Sequence, residues 1–157
     1  FRSENYKLLK LKDMKNILIA IDFNKNEVRL IEKALEIAKV FGSKIWLIHV
    51  APPDPDFVGY DIGPQYIRDT LSTVIRKEHK QLQGYASNIK VSGIEAEAIF
   101  IQGSTIDMII EESTKLNIDL IIAGHHEHGF IYRTFAESVS NGVLEKSKIP
   151  ILIVPLD

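Results

Sequence analysis

Lys15-Asn16-Ile17-Leu18-Ile19-Ala20-Ile21-Asp22 decides the fold. It is about one strand long, apolar from Ile17 to Ile21, and ends on a carboxylate. A strand that alternates apolar with polar residues buries one face. A strand that is apolar throughout is covered on both faces, as the strands of parallel sheets are. The period then changes. From Asn26 to Phe41, Val28, Ile31, Leu35 and Ala38 recur at helical spacing, and Gly42 supplies the stop.

The same alternation continues outward. Lys44 to Val50 predicts a second strand. Ala51 to Gly63, with its prolines and aspartates, reads as a loop, and Pro64 suits the first turn of a long helix. Ile67, Leu71, Val74, Leu82, Tyr85 and Ile89 mark that helix's apolar stripe. Ile94 to Gln102 predicts a third strand before Gly103. Ser104 is placed to cap a helix running to about Leu116, with Ile106, Ile109 and Ile110 inward. Asp119 to Gly124 predicts a fourth strand, Thr134 or Ser138 to Lys148 a fourth helix, and Ile151 to Leu156 a fifth strand. The expectation is an α/β domain: a five-stranded, parallel, doubly wound, Rossmann-like sheet with helices on both faces and right-handed crossovers. In such sheets ligands bind beyond the carboxyl ends of the strands, at the switch point of strand order. Those ends are Asp22, His49-Val50, Gln102-Gly103 and Gly124-His125.

The 157 residues fit one domain, 45% hydrophobic and 25% charged, as ordinary globular chains are. A net charge of −2 gives no nucleic-acid or membrane footprint. No apolar run approaches the roughly 20 residues of a membrane helix. Cysteine is absent, which removes thiol catalysis and disulfides and fits a reducing, cytoplasmic setting. Residues 1–13 are mixed and basic and read as an N-terminal extension or an expression remnant, with the domain over 14–157.

Four stretches together resemble the universal stress protein family across Met14 to Asp157. They are Lys15 to Asp22, Leu47-Ile48-His49-Val50, Asp119 to Gly124, and Ser138-Val139 followed by Lys146 to Pro155. The resemblance implies an adenine nucleotide alpha hydrolase-like fold, a sheet order of 3-2-1-4-5, and often a homodimer. It also implies a nucleotide site at Asp22, Val50, Gly124, His125, Ser138 and Val139. Nucleotide-binding relatives carry Gly, two residues, Gly, nine residues, Gly, then Ser or Thr. Here Gly124 and Ser138 match, but Glu127 and Glu137 stand where the second and third glycines belong. Glycine lets backbone approach a phosphate. Glutamate adds bulk and charge, and two unit charges ~5 Å apart repel by about 3 kcal/mol at an effective dielectric near 20.

The favoured reading is therefore a dimeric, non-enzymatic regulatory module of the stress response whose ATP binding is lost or weakened. The alternative is an ATP-binding stress protein that uses the six residues above despite the glutamates. Plainer roles stand beside these. Thr134-Phe135-Ala136-Glu137 fits a capping box, Asp22 can cap the turn before the first helix, Val50 can be core, and Gly124 can be a turn residue.

His125, His126, Glu127 and His128, with His49 near the sheet edge, raise a second alternative, a divalent-metal module. Adjacent residues rarely converge on one ion, so a solvated loop is the simpler reading and no metal is assigned. No Gly-x-Ser-x-Gly elbow or Gly-x4-Gly-Lys-Ser/Thr loop is present, and no enzymatic activity is expected. Ile151 to Leu156 is apolar on both faces and falls at the sheet edge in the implied order. Pairing with its two-fold mate would cover that edge, so a homodimer through this strand is expected, with protein partners unidentified.

Overall fold

A computed structural model describes residues 13–23, 26–52, 65–125 and 147–156, with only the backbone of 65–70 and 125. Among these residues the order is β1 (Asn16–Ala20), α1 (Glu27–Phe41), β2 (Lys44–Ala51), α2 (Gln65–Val91), β3 (Ala96–Gln102), α3 (Thr105–Lys115), β4 (Leu120–His125) and β5 (Ile151–Pro155). The sheet order is β3-β2-β1-β4-β5, with every pairing parallel. The expected architecture and strand order are both met. The fourth helix expected over residues 134–148 lies outside the described residues, apart from 147 and 148, which are not helical.

The central strand explains the layering. Ile17, Ile19 and Ile21 face one core with Leu30, Ala34 and Ala38 of α1 and Leu82, Ala86 and Ile89 of α2. Leu18 and Ala20 face a second core with Ile106 and Ile109 of α3. Every one of these β1 positions is at most 2% exposed. The continuous apolar run is thus the signature of a strand covered on both sides. At the amino end of the sheet, Asp119 Oδ2 accepts hydrogen bonds from the backbone amides of Lys15 (2.9 Å) and Asn16 (3.1 Å). That contact pins β1 to the start of β4.

Several local expectations are corrected. The buried stripe of α1 is Glu27, Leu30, Ala34 and Ala38, not the stripe headed by Val28, which is 58% exposed. Ile31 and Leu35 sit half-buried at its flank. The sequence pattern was about one residue out of phase because a glutamate heads the true stripe. Val74 of α2 is exposed, while Leu82, Ala86 and Ile89 are buried. A 27-residue helix spans about 40 Å, and the seven-residue β3 only about 23 Å. The helix cannot lie on the sheet over its whole length. Ser104 is the N-cap residue of α3 but makes no side-chain capping bond.

Gly124 lies inside the β4 ladder, in register with Val154 of β5, as the strand expected over Asp119 to Gly124 requires, and the plainer turn role is excluded. A Cβ there would come 3.0 Å from Leu30 Cδ1 and closer still to Leu156 Cδ1. Its small size is what lets α1 and the residue after β5 close over β4. Gly124→Ala is expected to destabilise the fold by roughly 1–3 kcal/mol through overpacking, read by urea or thermal unfolding. An unchanged midpoint would contradict this packing.

Candidate functional site

The carboxyl edge of the sheet is where β1 ends and the strand order reverses. Ala20 is in register with Ile48 on β2 and Ala123 on β4. Ile21 keeps that registry by donating its N–H to Ile48 O (2.8 Å). Continued past the strand end, it sets Asp22 abreast of Val50 and His125. The fold therefore brings Asp22, Val50, Gly124 and the His125 backbone to one edge. Ser138, Val139, Glu127, Glu137, His126 and His128 lie outside the described residues.

Of the residues in hand, Val50 is 9% exposed and belongs to the α3-side core with Ile48 and Ile106. Core packing accounts for it. His49, next along the strand, points to the opposite face. Its Nδ1 lies 2.7 Å from Ile21 O, and since a carbonyl only accepts, Nδ1 is the donor. Its Nε2 faces Glu78 Oε2 at 3.5 Å. The ring sits between Phe23 (centroids 4.6 Å) and Phe100 (5.3 Å). Both nitrogens are thus turned to partners within the fold. Among the described residues no group of three His, Cys, Asp or Glu side chains could hold a metal ion.

Phe23 (φ 59°) and Asn26 (φ 70°) both adopt left-handed backbone, which costs a non-glycine residue about 1–2 kcal/mol. Side-chain contacts offset that cost. The Phe23 ring packs at a tilt of 56° against His49, and Asn26 Nδ2 donates to Leu156 O at 2.8 Å.

Glu27, the first residue of α1, is the feature the sequence reading missed. It is 4% exposed and heads the helix's buried stripe. Tyr85 Oη donates to its Oε2 at 3.1 Å, and Gln81 Nε2 in turn donates to Tyr85 Oη at 2.9 Å. Its Oε1 is buried without a hydrogen-bond partner among the described residues. Burial pushes the carboxyl up to about 7, and the charge of Asp22 adds to the rise. The Tyr85 hydrogen bond and the backbone at Phe23 and Asp22 oppose it. Burial also raises the Tyr85 hydroxyl above its ordinary range. The signal available in the sequence was spacing: Glu27, Leu30, Ala34 and Ala38 share one helical face.

A carboxyl raised by folding stabilises the native state while it is protonated. That contribution is complete below its ordinary value of 4.5 and is lost as pH rises through about 7. Unfolding free energy is expected to fall by roughly 3 kcal/mol on this account between acidic and alkaline pH. Glu27→Gln should flatten the profile by that amount. An identical slope in the variant, by denaturant unfolding, would refute the assignment.

No helix among the described residues is long and apolar enough to cross a membrane. The model of the universal stress protein family matches residues 14–155. Universal stress protein C of Escherichia coli strain K12 is 30% identical over 143 residues, covering 90% of this chain and 95% of that protein. Two solved structures share the fold. A universal stress protein family protein from Arabidopsis thaliana with AMP bound superposes with a TM-score of 0.64 at 19% identity, covering 91% of this chain and 92% of that one. The universal stress protein from Archaeoglobus fulgidus in complex with dAMP gives 0.57 at 19% identity, covering 90% and 98%. A family match spanning nearly all of the sequence, on a parallel sheet of this order, leaves one assignment: the chain belongs to the universal stress protein family.

Proposed function

We propose that this chain is a non-enzymatic regulatory domain of the cytoplasmic stress response that works as a homodimer and does not hold a triphosphate stably. The observation that carries this reading is that Glu127 and Glu137, in the sequence that follows β4, stand where relatives of the nucleotide-binding type keep glycine. A repulsion of about 3 kcal/mol from one such charge lowers affinity for an anion about a hundredfold. No residue of this edge is given a catalytic role.

A second reading rests on the neighbours whose structures hold AMP and dAMP. It takes Asp22, Val50, Gly124, His125, Ser138 and Val139 as an adenine-nucleotide site, with a single phosphate better tolerated than three. The divalent-metal reading of the His125–His128 stretch gains no support from the described residues.

The homodimer is supported by the place of β5 at the sheet edge, where Ile151, Leu152, Ile153 and Val154 stay half-buried within the single chain.

Equilibrium dialysis with labelled ATP and magnesium is expected to show no stoichiometric complex at micromolar protein, and tight one-to-one binding would overturn the leading reading. Size-exclusion chromatography with light scattering should return the mass of two chains. A single-chain mass at the same concentration would remove the dimer.

A further inference from the structure

We propose that Glu27, Tyr85 and Gln81 form a proton-controlled seam between α1 and α2: with a proton on Glu27 the two helices pack closed against each other, and with the proton gone the seam opens to water. The seam lies inside the domain, so the inference goes beyond the regulatory reading above and holds whatever the carboxyl edge binds.

The contacts that cross the seam are in place. Tyr85 Oη of α2 donates to Glu27 Oε2 of α1 at 3.1 Å. Gln81 Nε2, one turn earlier in α2, donates to Tyr85 Oη at 2.9 Å. The chain of donors runs one way, from α2 to the carboxyl group, and ends there. A carboxylate offers about four acceptor positions. Here Oε2 receives one hydroxyl, and Oε1, also buried, receives no hydrogen bond among the described residues. The surroundings are otherwise apolar: Leu30, Ala34 and Ala38 follow Glu27 along α1, and Leu82, Ala86 and Ile89 line α2. A neutral carboxyl suits this setting. An ionised one leaves a charged oxygen buried without a donor, which water would supply. Only 4% of Glu27 is exposed, so water enters as the packing around it loosens. Burial outweighs the Tyr85 bond in setting where this happens, at about pH 7 instead of 4.5. The seam is therefore closed on the acid side of that value and opens as pH rises through it.

Among the described residues the groups that face Glu27 are few. From α2 comes Tyr85, with the uncharged Gln81 behind it. The end of β1 contributes the charge of Asp22, which opposes ionisation, and backbone at Phe23 and Asp22, which favours it without completing a hydrogen bond to Oε1. β4 brings Leu120 and Ile122 to this core, and Leu156 follows β5; none of them titrates. On β2, His49 is turned to Ile21 O and to Glu78 of α2. Inside the seam itself two groups titrate. Burial raises Tyr85 above its ordinary value of 10, which leaves Glu27 to change charge near neutrality.

Amide hydrogen exchange of the full chain at about pH 5.5 and about pH 8.5, expressed as protection factors so that intrinsic exchange cancels, tests this. From the lower to the higher pH, the amides of Leu30 and Ile31 in α1 and of Ala86 and Ile89 in α2 should lose protection. Their loss should exceed that of Leu18 and Ile19 in β1 by about tenfold. Glu27→Gln should remove the excess. Equal loss in all three elements would be a change of global stability without a seam, and it would overturn the proposal. So would an absence of loss in wild type, or an excess that survives in Glu27→Gln. Should Glu27→Gln fail to fold, carbon-13 signals of the wild type and of Tyr85→Phe decide. The Tyr85 ring carbon that bears the hydroxyl should follow the Glu27 carboxyl through one inflection near pH 7. In Tyr85→Phe, which removes a bond that favours the charge, the Glu27 inflection should move to higher pH. A Tyr85 signal that stays flat, or a Glu27 inflection that does not move, would overturn the proposal equally.

Discussion

Two-sided burial of β1 is the constraint on which the rest of the structure depends. A strand with Ile17, Leu18, Ile19, Ala20 and Ile21 all out of water needs a layer of helix above and below and a strand on either flank. The right-handed crossover rule then fixes how α1, α2 and α3 are distributed over the two faces. The strand order reverses at β1, because β2 follows on one side and β4 joins on the other. The position of the switch point in strand order is therefore a consequence of core packing, before any polar side chain is considered.

The carboxyl edge at that point carries an unusual load. Two non-glycine residues there, Phe23 and Asn26, adopt left-handed backbone, and each meets a distant partner: the His49 ring of β2 for Phe23 and the Leu156 carbonyl beyond β5 for Asn26. A leucine or alanine at position 27 would continue the apolar stripe of α1. The glutamate instead places a titratable group inside it, beside Asp22, at a cost that burial alone makes large. Left-handed backbone and a buried titratable carboxyl are thus gathered at the carboxyl edge of the sheet. Other ion pairs, such as those of Lys115 with Glu111 and Glu112, lie on solvent-exposed helix surface and add little.

Much of this was legible in the residues. Continuous apolar runs gave the strands, the change of period gave the helices, and the family resemblance supplied the order of the sheet. Boundaries moved by one or two residues, as with β3, which starts at Ala96 rather than Ile94. Val28 and Val74 belong to apolar stripes in the sequence pattern yet are exposed, because helix phase decides the first and helix length the second. Glu27 is not legible as a buried residue because a charged side chain is ordinarily exposed. Gly124 falls within the strand that the apolar run predicts, but the reason it must be small, the approach of Leu30 and Leu156, involves residues 94 and 32 positions away in the chain.

The sequence by itself determined the class of fold, the family and the edge at which a ligand would meet the sheet, because hydrophobic period and residue order are local properties. Only the tertiary structure decided that position 27 is buried, that its carboxyl meets Tyr85 of α2 and the charge of Asp22, and that position 124 must be small. Each of these is a matter of what lies opposite a side chain once distant segments pack, and burial, not residue type, sets the energy of a charge or the room for a methyl group.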